Sequence, residues 1–314
     1  MHVMAGVLRD AQGRVLLAQR PPGKHLAGSW EFPGGKREPG ETPQQALLRE
    51  LREELGVIAD AQGSTPLIRI PWRYEKGQLC LDAWTVSRWQ GEPQSLEGQA
   101  LRWMLPGEID PASLAPADRP VLAALRLPAI YAITPVGVLP ESADQWRERM
   151  LTAMQAGLRL MQLRLPDWDH SAVRKLAADL LPRARELGVT LMLNGDIEGA
   201  RELGHSVGVQ LKSSQLEKLD ARPLPWTQTV GASCHDEADL RRASMLSADF
   251  ALLSPVALTA SHPDVAPLGW DRFRSWTQEA SLPVYALGGM SPDDLAVARE
   301  HGAQGVAGIR GFWR

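Results

Sequence analysis

The sequence predicts an α/β protein of two domains, a mixed-sheet domain over residues 1–127 followed by a (β/α)8 barrel of the TIM type over residues 128–314. Three observations predict it. The chain has 314 residues, enough for two separate cores. A glycine-rich loop at residues 34–41 runs straight into an amphipathic helix, set among short strands with period-two alternation. From Ala129 onward, strand-like apolar runs alternate with helical stretches, and eight such runs make a parallel barrel the expected architecture.

Composition narrows the function classes. With 44% hydrophobic and 23% charged residues the chain reads as an ordinary globular protein. Its net charge of −3 gives no field for a polyanion, so direct nucleic-acid binding is not expected. A nucleotide would have to be held by a metal and a few local cations. Cys80 and Cys234 make neither a disulfide framework nor a zinc-ligand set, which fits a reducing compartment. No apolar run approaches the ~20 residues of a membrane span, and Met1-His2-Val3 leads directly into a strand-like run rather than a signal peptide. The expectation is a cytoplasmic protein with no membrane partner.

In the first domain, His2 to Ala18 reads as a hairpin: Val3, Ala5 and Val7 alternate, Asp10 to Gly13 turn the chain, and Val15 to Ala18 return it. Arg20 to Ser29 is a loop, and Trp30 to Gly35 is a short strand entering the glycine loop. Thr42 is the expected N-cap and Pro43 the first helical residue, where a missing N–H costs nothing. The helix runs to Leu55 with Gly56 as its left-handed stop, and Ala46, Leu47, Leu51 and Leu55 form its buried side. Further strands are expected at Leu67–Trp72, Gln78–Val86 and Leu101–Leu105, and a closing helix at Pro120–Leu127.

Glu50, Glu53 and Glu54 stand at i, i+3 and i+4, so they share one helix face. Like charges placed this way cost about 0.2–0.5 kcal/mol per pair. A hard divalent cation removes that cost, and an all-oxygen site that keeps waters suits Mg²⁺. A solvated acidic face is the other reading of the same spacing.

The longer stretch is more specific. Gly35, Glu41, Arg49-Glu50-Leu51, Glu53-Glu54 and Gly56-Val57 stand at the spacing of the Nudix box, which they resemble without a departure. The segments Lys24–Lys36, Ser87–Pro93, Glu97-Gly98-Gln99, Trp103-Met104 and Pro116–Val121 are similar to the MutT branch of that family, so the resemblance spans residues 1–127. It implies a Nudix α/β/α sandwich and a Mg²⁺-dependent enzyme, with Mn²⁺ as a substitute. The implied reaction converts a nucleoside triphosphate to monophosphate and pyrophosphate. The implied substrate is 8-oxo-dGTP and the implied role is sanitation of the nucleotide pool in DNA repair.

By position, the resemblance implies that Gly34 offers its backbone carbonyl, and Glu50, Glu53, Glu54 and Glu97 their carboxylates, to one or more metal ions. Glu50 and Glu53 are the implied catalytic carboxylates, with one member of the set acting as general base on water. Arg49 is the implied partner of a box carboxylate such as Glu41. Arg20 is implied to reach the nucleotide phosphate or sugar, and His25 and Phe32 to wall the base pocket. Read without the resemblance, Arg20 is a surface arginine, His25 a loop histidine and Phe32 a core residue. Asp118 departs from the pattern, because the MutT branch has an asparagine there that reads the oxidised purine edge. An ionised aspartate only accepts hydrogen bonds. In an apolar pocket that keeps it protonated it both donates and accepts. Its other reading is a cap for the helix at Pro120.

The expected barrel strands are Ile130–Thr134, Leu158–Leu165, Val189–Asn194, Val207–Leu211, Thr229–Ser233, Phe250–Pro255, Val284–Leu287 and Gly305–Ile309. Helices are expected at Gln145–Ala156, Val173–Leu187, Ala238–Met245 and Pro292–His301, with Phe312-Trp313 in place of a last helix. Gln162-Leu163-Arg164, Leu193-Asn194-Gly195, Gly231 to His235, Ser254-Pro255-Val256 and Ala286 to Met290 resemble the thiamine phosphate synthase/TenI family. That resemblance implies a phosphorylated thiazole or pyrimidine ligand, with Gly288-Gly289 as a phosphate cradle. Synthases of the family carry a lysine where Pro166 stands, an Asn-Asp pair where Asn194-Gly195 stands, and Thr-x-Thr-Lys where Thr259 to His262 stand. The cations for pyrophosphate and the carboxylate for Mg²⁺ are therefore missing, and synthase activity is not expected. His235 stands where the tautomerase branch has its catalytic histidine, so the barrel reads either as a tautomerase or as a ligand-binding module with an inert histidine. The fusion also opens a second substrate class for the first domain, a thiamine-related pyrophosphate.

Overall fold

Helix α1 (Pro43–Leu55) begins and ends on the residues whose chemistry suits those places. The Thr42 hydroxyl accepts from the Gln45 backbone N–H and the Gln45 side chain takes the Thr42 N–H, a reciprocal capping box. Gly56 closes the helix in the left-handed region at φ 71°. The computed structural model describes residues 1–74, 77–135, 142–259 and 265–313. The chain divides into two compact units, Met1–Arg126 and Leu127–Arg314.

In the first unit, β1 (His2–Leu8) pairs in parallel with β6 (Gly77–Val86), which pairs antiparallel with β5 (Ser64–Tyr74). β2 (Val15–Gln19) lies between β3 (Trp30–Glu31) and β8 (Ala100–Met104) in a second sheet. Two short strands, β4 (Ile58–Ala59) and β7 (Trp89–Gln90), form a third pair. Alternation along β1 builds the sandwich. Met4 and Leu8 join a core with Leu47, Leu51 and Leu55 of α1, whereas Ala5 and Val7 join a core with Val121 and Leu122 of α2 (Arg119–Arg126).

The expected hairpin between β1 and β2 is corrected. The chain turns at Asp10–Gly13, but the strands belong to different sheets and share only the bridge Arg9–Val15. The reason is that the free edge of β1 is already used. Met4 N–H donates to the Gly35 carbonyl at 2.7 Å, Gly6 N–H to the Pro33 carbonyl at 2.7 Å, and Arg37 N–H to the His2 carbonyl at 3.0 Å. The glycine loop is thus stitched to β1 as if it were a strand. A Cβ at Gly34 would lie 2.2 Å from the Met4 carbonyl oxygen, so only glycine allows this approach.

The second unit is a closed eight-stranded parallel barrel. In chain order it runs β9 (Ile130–Ile133), α3 (Ala143–Gln155), β10 (Leu160–Leu163), α4 (His170–Glu186), β11 (Thr190–Asn194), α5 (Ile197–Leu203), β12 (Val207–Leu211) and α6 (Ser213–Leu216). It continues with β13 (Val230–Cys234), α7 (Glu237–Met245), β14 (Phe250–Leu253), α8 (Gly269–Gln278), β15 (Val284–Leu287), α9 (Leu295–Glu300) and β16 (Gly305–Gly308). Tyr131, Phe250 and Tyr285 pack edge to face in one core. A larger core gathers helix residues such as Met150, Leu180 and Phe273 with the other strand residues. After β16, Phe312 is buried in the larger core, and Trp313 donates its indole N–H to the Ile133 carbonyl while packing on Trp146. No helix among the described residues is long and apolar enough to cross a membrane.

Candidate active site

The glycine loop brings the start of the box against the last two turns of α1. Glu50 lies on Gly35 so closely that a Cβ there would sit 2.2 Å from Glu50 Oε2. Glu54 turns toward the same loop and accepts the Gly34 N–H at 2.7 Å. No hydrogen bond among the described residues takes the Gly34 carbonyl. A second loop closes from the other side: Gln99 is buried, donates to the Glu54 carbonyl at 3.1 Å, and accepts the Glu97 N–H at 2.9 Å. This places Glu97 at the same cleft.

Arg49 spreads its guanidinium over three carboxylates. Nε meets Glu41 Oε1 at 2.7 Å, Nη1 meets Glu50 Oε1 at 2.9 Å and Glu53 Oε2 at 3.0 Å, and Nη2 reaches Glu41 Oε2 and the Lys36 carbonyl at 3.0 Å. The two bonds to Arg49 hold the Glu41 carboxyl down to about 2. Glu54 has no such cation. Burial pushes its carboxyl up to about 7 against the pull of the Gly34 N–H, and the charges of Glu31, Glu97 and Glu50 add to the rise.

A second group lies across β3. Arg20 pairs with Glu31 and donates to the His25 carbonyl at 2.6 Å. Asp118 is buried, accepts the Phe32 N–H at 3.0 Å, and is raised to about 8 by burial with a further contribution from Glu31. It stands directly before α2, which begins at Arg119, and its carboxyl reaches back to the Phe32 N–H of a distant segment. Phe32 is itself a core side chain, and it is its backbone that serves Asp118. His25 is exposed and packs edge-on against Tyr74, with ring centroids 5.5 Å apart. Burial raises Glu31 as well. Glu31, Tyr74 and Lys24, whose Nζ lies 3.1 Å from Glu97 Oε2, were not singled out from the sequence. Lys24 and Glu31 lie in the segment Lys24–Lys36 that resembles the MutT branch but received no role from it, and Tyr74 lies outside every such segment; their relevance arises from convergence in space.

The donor chemistry fits a hard divalent cation, because every candidate ligand is a carboxylate or a carbonyl oxygen. Among the described residues no three of them converge as a ready-made ligand cluster. Arg49 holds Glu50 and Glu53, Gly34 N–H holds Glu54, and Lys24 holds Glu97. A metal would have to draw these oxygens away from their present partners.

In the barrel, His235 follows β13, and its Nδ1 lies 3.1 Å from the Ser254 carbonyl. Its backbone N–H donates to Asp239 at 2.9 Å. Asn194 accepts from Gln162 at 3.1 Å. A Cβ at Gly195 would meet Lys212 Cε at 2.9 Å, and the adjacent Asp196 is held by Arg174 in two bonds of 2.7 Å. Neither position presents a carboxylate to a metal. A cavity of about 210 Å³ is lined by Leu258, Thr259, Gly288, Gly289, Met290 and Arg310. Pro166 lies in the loop after β10, and Ala260 to His262 lie outside the described residues.

Two family models match the chain. One, described as thiamine monophosphate synthase, covers residues 130–312, and the other, described as NUDIX domain, covers residues 4–124. The 8-oxo-dGTP diphosphatase of Escherichia coli is 35% identical over 126 residues, 40% of this chain and 96% of that protein. The CTP pyrophosphohydrolase of Escherichia coli is 44% identical over 125 residues, 40% of this chain and 90% of that protein. The thiamine-phosphate synthase of Syntrophomonas wolfei is 30% identical over 164 residues, 52% of this chain and 78% of that protein.

Proposed function

The chain belongs to the MutT-type Nudix hydrolases through residues 4–124 and to the thiamine monophosphate synthase family through residues 130–312, and from that premise we propose that it is a Mg²⁺-dependent nucleoside triphosphate pyrophosphohydrolase of the cytoplasmic nucleotide pool. The observation that carries this reading is the carboxylate array of α1 folded onto the glycine loop. Gly34 through its carbonyl, with Glu50, Glu53, Glu54 and Glu97, would hold Mg²⁺, and Mn²⁺ by the same oxygen chemistry. When bound, the metal polarises a phosphoryl oxygen and acidifies water. One of these carboxylates would take the proton of the attacking water; Glu54, which accepts the Gly34 N–H where Glu50 and Glu53 pair with Arg49, is the candidate. The water oxygen bonds to phosphorus as an anhydride P–O bond breaks, giving monophosphate and pyrophosphate. Arg49 keeps Glu41, Glu50 and Glu53 on the loop side of the helix.

Asp118 and its surroundings bear on the base. Held neutral, it accepts from Phe32 N–H through one oxygen and has a proton to donate. That favours a base with an acceptor at its edge, such as the O6 that dGTP and 8-oxo-dGTP share; selection of the oxidised base is supported by the likeness to the 8-oxo-dGTP diphosphatase. The aspartate and the identity to the CTP pyrophosphohydrolase favour a second reading, a cytosine nucleotide. Steady-state hydrolysis of 8-oxo-dGTP, dGTP, CTP and thiamine pyrophosphate with Mg²⁺ decides. The expected kcat/KM for 8-oxo-dGTP exceeds that for dGTP about 100-fold, or about 2.7 kcal/mol. Equal values for the guanine nucleotides with faster CTP turnover transfer the proposal to pyrimidines. Preference for thiamine pyrophosphate overturns both.

The barrel is proposed to bind a phosphorylated thiazole or pyrimidine without making thiamine phosphate. Gly195, and Asp196 engaged by Arg174, support the absence of a metal carboxylate. With Nδ1 donated to the Ser254 carbonyl, His235 has Nε2 left to exchange a proton. A thiazole phosphate is expected to raise the melting temperature of the intact chain by several degrees, and His235→Ala is expected to leave nucleotide hydrolysis unchanged. If neither thiazole nor pyrimidine phosphates shift melting, the ligand-binding reading fails.

A further inference from the structure

Lys24 sits in the loop between β2 and β3, at the lip of the cleft, and no box position accounts for it. Its Nζ lies 3.1 Å from Glu97 Oε2, and the two side chains are 56% and 52% exposed. An ion pair this exposed contributes little to stability, so it is easily broken. Its charge also pulls the Glu31 carboxyl down against the effect of burial, so it acts on a second acid of the site.

The three basic side chains of the cleft share one pattern. Arg20 is held by Glu31, Arg49 by Glu41, Glu50 and Glu53, and Lys24 by Glu97. Arg20 and Arg49 have further bonds to backbone carbonyls that fix them in place. No backbone carbonyl among the described residues holds the Lys24 ammonium, whose polar partner is Glu97. Loss of Glu97 to another cation would therefore leave a mobile ammonium on a flexible stem at the mouth of a site for a polyanion.

We propose that Lys24 is a polyphosphate-binding residue stored on Glu97. Before substrate arrives it neutralises Glu97 and competes with metal for it. Were a divalent cation to be held by Glu97, the Lys24 ammonium would be free to turn to the phosphate chain of the nucleotide. This rests on the pyrophosphohydrolase reading above.

Two affinities of opposite sign test it. With the intact chain, Lys24→Met is expected to bind Mn²⁺ alone several-fold more tightly by calorimetric titration, since Glu97 is freed. The same variant is expected to bind the non-hydrolysable α,β-methylene analogue of dGTP about tenfold more weakly with Mg²⁺ present, about 1.4 kcal/mol. KM for dGTP should rise to match, with kcat within twofold, and Lys24→Arg should restore KM. The melting temperature should not move. If Mn²⁺ and nucleotide affinities fall together, Lys24 merely shapes the loop and the proposal fails. If neither moves while the unaltered chain hydrolyses dGTP, the proposal fails and the pyrophosphohydrolase reading stands. Absence of turnover in the unaltered chain removes both.

Discussion

Glu54→Gln is expected to abolish turnover while leaving the metal-free protein at least as stable. The glutamine keeps an oxygen to accept the Gly34 N–H, so the bond of 2.7 Å that ties α1 to the loop survives. It removes the buried charge and its repulsion from Glu31, Glu97 and Glu50. It also removes the group proposed to take the water proton, a loss typically of 10²–10⁴-fold in rate. The stability effect has a definite pH window. Glu54 ionises near 4.5 when unfolded and near 7 when folded, so the folded state holds a proton that the unfolded state has released. Stability therefore falls as pH rises from about 4.5 to 7, by an order of magnitude near 3 kcal/mol from this group. Melting in EDTA across that window should show a shallower slope for the variant. Near-normal kcat in Glu54→Gln would sink the metal-site assignment.

Asp118 is expected to set both the strength and the pH limit of base recognition. Asp118→Ala strands the buried Phe32 N–H, which costs about 1–3 kcal/mol, and should lower kcat/KM for the preferred nucleotide ~100-fold. The proton on Asp118 persists up to a pH of about 8. Above it the carboxyl becomes an acceptor only, so kcat/KM should decline on the alkaline side if the base needs a donor. Asp118→Asn keeps an acceptor for Phe32 and a permanent donor, so its alkaline limb should be flatter. A profile identical in the two proteins would remove Asp118 from base recognition.

The parts legible in the sequence are those governed by local chemistry. The Thr42-Pro43 start, the Gly56 stop and the buried side of α1 follow from neighbours within one or two turns, and the structure has them where expected. The barrel strands were legible because parallel strands buried on both faces read as continuous apolar runs. Short helices such as Ile197–Leu203 and Ser213–Leu216 carry too few turns for a periodic signal. The first two strands are where they were expected, but their pairing as a hairpin was misread because an edge can be occupied by a loop whose sequence gives no sign of pairing. At the site, the spacing of the glutamates was plain. That Arg49 engages two of them, that Glu54 stands apart on Gly34, and that Glu31 neighbours Asp118 depend on contacts between distant segments.

The attachment of the glycine loop to β1 has a consequence for folding kinetics. β1 is held on its far side by β6, from Cys80 to Val86, and on its near side by residues 33–37. The loop is therefore shaped on a strand whose other edge is completed by a pairing of long sequence separation, and such pairings are slow to close. Helix α1 can nucleate early from its own caps. On a ribosome, a nascent chain that has emerged only as far as Val57 would carry the entire box and still lack β6, Glu97 and the Gln99 that closes on Glu54. Assembly of the complete site is thus deferred until the later segments exist.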